Sequence, residues 1–179
     1  MTIKKVTTEA ELQTAFDFRR SVFIEEQQVP EEEEYDEFDA LDAPCDHILV
    51  YYNEQPVGTG RLRVVEGYGK LERICILEEY RKFGLGKEVI VGLEQIARDK
   101  GLTKAKLNAQ SYAEGFYEKL GYQREGEEFM DCGIPPYFNE EILVADENHT
   151  MIEHARLSII LCNFLIVAWV YCLKGGVCC

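Results

Sequence analysis

The chain has 179 residues, of which 46 % are hydrophobic and 29 % charged. That balance excludes a disordered protein and fits one domain with a real core. The net charge of -14 argues against nucleic acid as a partner. Cys45, Cys75 and Cys132 share no metal-ligand spacing, and the mixed, charged opening "MTIKKVTTEAELQTAF" is no signal peptide. No metal is expected, and a reducing cytoplasm is the expected compartment.

In chain order, "TIKKV" reads as a short first strand. "TEAELQTAFDFRRSVFIEEQ" reads as a helix, with Leu12, Ala15, Phe16 and Arg19 near helical spacing and a capping box of Thr8 and Glu11. Residues 31–46, "EEEEYDEFDALDAPCD", hold nine acidic residues and no basic one. They read as a solvated acidic loop or as a patch attracting cationic amines. "HILVYYNEQPVGTGRLRVV" predicts two strands around a turn at Asn53-Glu54-Gln55-Pro56, and "KLERICIL" a third.

A helix follows, with Leu85, Val89, Leu93, Ile96 and Ala97 on one face and Gly101 as its stop. "TKAKLNA" alternates as a strand, and "SYAEGFYEKLG" carries a capping box, Ser111 with Glu114. "YQREGEEFMDCGIPPYFNEEILV" predicts the last paired strands. The order β-α-β-β-β-α-β-α-β-β is that of an α/β domain with a mixed sheet, assigned to residues 1–144.

Residues 145–179 form an apolar extension. Within it, residues 157–173 carry only Ser158 and Asn163 as polar residues, between Arg156 and Lys174. As a helix this stretch would reach about 25 Å, the short end of a membrane span. A membrane anchor, a helix packed on the domain or on a second copy in a homodimer, and a tail without a role all fit it.

"RKFGLG", residues 81–86, places two glycines and two basic side chains between a strand and a helix. A helix start offers unpaired N–H groups and partial positive charge, and glycine lets phosphate oxygens approach the backbone. Arg81 to Lys87 therefore reads as a pyrophosphate cradle. It matches neither the GxxxxGK[ST] nor the GxGxxG phosphate loop.

The order R-x-x-G-x-G resembles motif A of the GNAT N-acetyltransferases, which binds the acetyl-CoA pyrophosphate. "LNAQSYAEGFYEKLGYQREGEEF", residues 107–129, resembles motif B of that family. "FRRSVFIEEQQVP", "PVGTGRLR", "LERICIL" and "NAQ" are similar to its bacterial ElaA/YjcF-like branch. The resemblance covers residues 3 to about 134. It implies the GNAT acyl-CoA N-acyltransferase fold and direct attack of a primary amine, on a small molecule or a peptide, on the acetyl-CoA thioester. A non-catalytic acyl-CoA-binding module with an assembly or membrane tail is the alternative.

By the same resemblance, Arg81, Lys82, Phe83, Gly84, Leu85, Gly86 and Lys87 hold the cofactor phosphates. Ile74, Cys75 and Ile76 line its arm, with the Ile76 N–H as oxyanion donor, and Asn108 contacts that arm. Tyr117 protonates the leaving thiolate. Glu72 is a candidate base, and Glu26 and His47 are candidate acceptor contacts. The "GIPP" segment departs from the branch, with Pro136 where histidine is usual.

Overall fold

The computed structural model describes residues 1–110, 113–131 and 134–143. Seven strands form one mixed sheet in the order β1-β2-β3-β4-β5-β7-β6. They are β1 (Thr2–Lys5), β2 (Cys45–Tyr52), β3 (Gln55–Val65), β4 (Tyr68–Ile76), β5 (Lys104–Gln110), β6 (Gln123–Asp131) and β7 (Ile134–Leu143). All neighbours are antiparallel except β4 and β5. The expected fold class is thus observed, with every predicted element in its predicted order.

Two hairpins are closed by two-residue turns, Asn53-Glu54 and Glu66-Gly67, all four residues having positive φ. Such primed turns match the right-handed twist of the strands they join. The first turn is two residues shorter than expected, because Gln55 and Pro56 already belong to β3.

Strand alternation sends side chains to two different cores. Ile48 and Val50 of β2 face helix α4 (Leu85–Asp99), packing with Val89, Ile90, Leu93 and Ala97. Leu49 points the other way, toward Leu12 and Ala15 of helix α1 (Glu9–Arg19). Helix α4 lies close on β3, since a Cβ on Gly60 would sit 2.8 Å from Val89 Cγ1. Both caps of the Thr8–Glu11 box are made.

The first helix does not end at Arg19. It widens into a π-helical segment, Arg20–Glu26, which carries Glu26 to its far end. The acidic stretch begins with a short helix, α2 (Glu31–Glu34), and then folds back onto the face of β3 and β4 that α1 also covers.

The stretch is not a freely solvated loop, nor are all of its acids on offer to an amine. Arg19, fully buried, donates to Glu34 at 2.5 Å and to Asp39 at 2.6 Å. Arg61, 1 % exposed, reaches Asp36 at 2.6 Å, Asp39 at 3.0 Å and Glu72 at 2.9 Å. Arg19 of α1 and Arg61 of β3 thus tie the segment down, as buried charges require partners.

Toward the other edge, β7, between β5 and β6, contains Pro135 and Pro136. Its pairing with β5 begins only at Tyr137, opposite Gln110. The prolines therefore lie past the β5 ladder, and on the β6 side they fall at the irregularity between the Asp131–Ile134 and Phe129–Tyr137 pairs, where missing N–H groups are tolerated. The Ser111 cap and residues 144–179, with the apolar run 157–173, lie outside the described residues. Among the described residues no helix is long and apolar enough to cross a membrane.

Candidate active site

The two central parallel strands part company. β4 and β5 pair only from Gly69–Leu71 to Ala105–Leu107. Beyond that point β4 stays with β3, while β5 continues along β7 as far as Gln110. The edge of β4 from Arg73 to Ile76 thus faces a gap with no strand in it.

A bulge marks the place where the gap opens. Thr59 pairs with Cys75 and Arg61 with Glu72, so Arg73 and Ile74 together oppose Gly60. Arg73 adopts φ 52°, a left-handed conformation disfavoured for a side-chain-bearing residue. Bulges of this kind re-aim a strand.

Alternation fixes which groups enter the gap. The Leu77 N–H donates to Val57 O on β3 at 3.0 Å. Ile76, one residue earlier, therefore turns its N–H and C=O toward the open edge. Its carbonyl there accepts from Arg81 Nε at 2.9 Å.

The expected cradle sits at the end of this gap. After β4 come a single turn, α3 (Glu78–Arg81), and then α4. Gly84 occupies the N-cap of α4 with φ 71° and no side-chain cap. The first N–H groups of this 15-residue helix are left for an external acceptor. Gly84 and Lys82 are exposed, and Lys87 is half-buried. The Leu85 side chain is in the core, which leaves only its backbone open to the turn. Phe83, 45 % exposed, stacks on Tyr52 at 4.7 Å.

Helix α5 (Glu114–Glu118) closes the other side. A Cβ on Gly86 would stand 3.7 Å from Phe116 Cζ, so α5 lies against the start of α4. The Tyr117 ring meets Phe116 and Tyr122 edge-on, at 5.1 and 5.8 Å. Tyr122 donates to the buried carboxyl of Glu94 on α4 at 2.9 Å. Asn108 is exposed on β5, one residue past the last β4–β5 pair.

Three candidates stand elsewhere than the sequence suggested. Burial would raise the Glu72 pKa, but hydrogen bonds from Arg63 and the charges of Arg61 and Lys70 pull it to about 2. A carboxylate held by three cations is a poor base. His47 is buried, packs edge-on to Phe16 and lies 3.1 Å from Phe38 O. Burial lowers its pKa, and it sits under the acidic segment, not in the gap. Glu26 is spent on Arg81, 2.6 Å away.

Cys75 is 5 % exposed, close enough to Glu34 and Arg19 to feel their charges, and burial pushes its thiol up to about 12. It has no thiolate to offer at neutral pH. Sequence reasoning missed the Arg19 and Arg61 networks and the Glu94–Tyr122 pair. Arg19 on an apolar helix face, beside nine acids, was the available signal.

The ion pairs predict an acid limit. Asp36 and Glu72 both titrate at about 2 in the folded chain, against roughly 3.9 and 4.3 when unfolded. Their stabilisation is complete above the unfolded values and is lost as pH falls through the folded ones. The melting temperature should therefore decline from about pH 4.5 toward pH 2. Calorimetry across that range checks it, and a flat profile would contradict the network.

Comparison with known proteins agrees with this geometry. Residues 12–122 match the acetyltransferase (GNAT) family. The chain belongs to that family. It is 60 % identical over 135 residues to the Bacillus subtilis protein YyaT, covering 75 % of this chain and 91 % of YyaT. It is 49 % identical over 128 residues to B. subtilis YjcF, named as an uncharacterized N-acetyltransferase, covering 71 % and 89 %.

Among solved structures, Escherichia coli ElaA superposes with a TM-score of 0.68 at 20 % identity, covering 79 % of this chain and 99 % of ElaA. An aminoglycoside 6'-N-acetyltransferase complexed with coenzyme A superposes at 0.63 and 15 %, covering 81 % and 98 %. The chain is thus a GNAT acyltransferase with relatives in the ElaA/YjcF branch, and acetyl transfer is its general chemistry.

Proposed function

We propose that this GNAT protein transfers the acetyl group of acetyl-CoA to a primary amine by direct attack of the amine nitrogen. The observation that carries this reading is the gap beside β4, ending at an uncapped helix start with a left-handed glycine. An acyl-CoA arm is the ligand shape that fits it, with amide groups for a bare strand edge and a pyrophosphate for bare helix N–H groups.

In this reading the backbone of Lys82 to Lys87 holds the phosphates, with Lys82 and Lys87 supplying charge. The edge of β4 from Ile74 to Ile76 binds the arm, and Asn108 faces it from β5. Acetyl-CoA supplies an activated thioester carbonyl. The Ile76 N–H, directed into the gap, donates to the carbonyl oxygen as it gains charge. The amine nitrogen forms the new C–N bond, the C–S bond breaks, and Tyr117 gives its phenolic proton to the sulfur. A phenol near pKa ~10 is matched to a thiolate of similar basicity. The proton released by the amine passes to solvent, since Glu72 is held by its cations.

Tyr117→Phe should lower turnover about 100-fold while changing coenzyme A affinity little. Steady-state assays on a panel of primary amines, paired with calorimetry, measure both. Equal turnover would reduce Tyr117 to a packing residue. Binding by wild type without turnover of any amine would favour the binding module instead.

A further inference from the structure

We propose that Glu26 is a positioning residue for the cofactor cradle, acting through Arg81. This deepens the function proposed above and rests on it. The guanidinium of Arg81 is fixed at two points. Nε donates to Ile76 O at 2.9 Å, and Nη2 donates to Glu26 Oε2 at 2.6 Å. Among the described residues Nη1 makes no hydrogen bond, so its donors stay available.

The two anchors come from distant parts of the chain. Glu26 ends the π-helical segment, while Ile76 ends β4 beside the gap. Both Glu26 and Arg81 are only partly covered, 31 % and 23 % exposed. A lone arginine there would sample many rotamers and would have to be ordered by each incoming ligand. Held on both Nε and Nη2, its plane is set before the ligand arrives, as a fork-shaped donor needs. Arg81 is three residues before Gly84, so its Nη1 offers directed N–H donors close to the start of α4, while Glu26 offsets much of its charge.

The wider π-helical turn has a role in this arrangement. Such turns shift side chains relative to an α-helix and recur at functional sites. Here the segment's last residue is the one that meets Arg81. Glu26 would thus belong to cofactor binding, not to the amine contact first assigned to it.

The test is calorimetric titration of coenzyme A itself, which requires no acceptor. Glu26→Ala should weaken binding about 3- to 10-fold, the cost of ordering one long side chain at binding. Glu26→Gln, which keeps an acceptor oxygen, should recover most of that loss. In an Arg81→Ala background, Glu26→Ala should change nothing further. A merely structural role would give additive losses, which would overturn the proposal. So would unchanged or tighter binding by Glu26→Ala, the result of a carboxylate that only repels phosphate. Melting curves identify any variant that fails to fold, and Glu26→Gln then carries the test. Failure of wild type to bind coenzyme A would instead sink the function proposed above.

Discussion

Gly84→Glu should weaken coenzyme A binding by about three orders of magnitude while the protein stays folded. Gly84 caps α4 in the left-handed region, at φ 71°. A side chain there costs about 1–2 kcal/mol of backbone strain. A carboxylate at a helix start returns part of that cost through the helix dipole. The fold therefore survives, but the new carboxylate competes for the N–H groups that a phosphate needs. It also repels the phosphate, by about 4 kcal/mol at about 4 Å and an effective dielectric near 20.

Gly84→Asn is the matched control. Asparagine tolerates positive φ and brings no charge, so its binding should remain within about tenfold of wild type. Calorimetric titration of both variants decides the matter. Wild-type affinity in Gly84→Glu would mean that the phosphates bind elsewhere.

The glycine turn at the start of α4 was legible in the sequence because its signals are local. Two glycines and three cations fall between Arg81 and Lys87, directly between the strand β4 and the helix α4. The element order was legible for a similar reason, since each helix and strand announces its own period. The parting of β4 from β5 was not legible from residue patterns. It depends on a bulge at Arg73 and on which strand each partner takes next.

The surroundings of Glu72, His47 and Glu26 were not legible, because most of their partners lie on other elements. Glu72 meets Arg63 and Lys70 from its own hairpin, but its link to Arg61 belongs to a network completed by Asp36 and Asp39 from the acidic stretch. His47 is covered by Phe38 of that stretch. Glu26 meets a residue 55 positions away. A charge count registers the acids and bases but not their contacts, so a run of nine acids looked solvated. The sign that it was not lay in Arg19 and Arg61, each placed where its helix or strand turns inward.

Arg61→Met should destabilise the protein by about 3 kcal/mol and lower its melting temperature by about 6–12 °C. Arg61 serves three carboxylates, and their losses differ. Glu72 keeps Arg63 and Lys70, at 2.7 and 3.1 Å. Asp39 keeps Arg19 at 2.6 Å. Asp36 is left with the Phe38 N–H at 2.9 Å and, as its cation among the described residues, Arg73 3.5 Å away. The cost should therefore fall at the low end of the range for breaking a buried pair, about 3–5 kcal/mol. Asp36→Asn added to Arg61→Met should recover part of it by removing the stranded charge. The acid limit should also move. Without Arg61, the Asp36 carboxyl returns toward its ordinary value, so less stabilisation remains to be lost between pH 4.5 and 2. Melting curves of the three proteins at neutral and acid pH measure both effects. An Arg61→Met variant as stable as wild type would mean that the acidic segment is held by packing, with the arginine contributing no net stability.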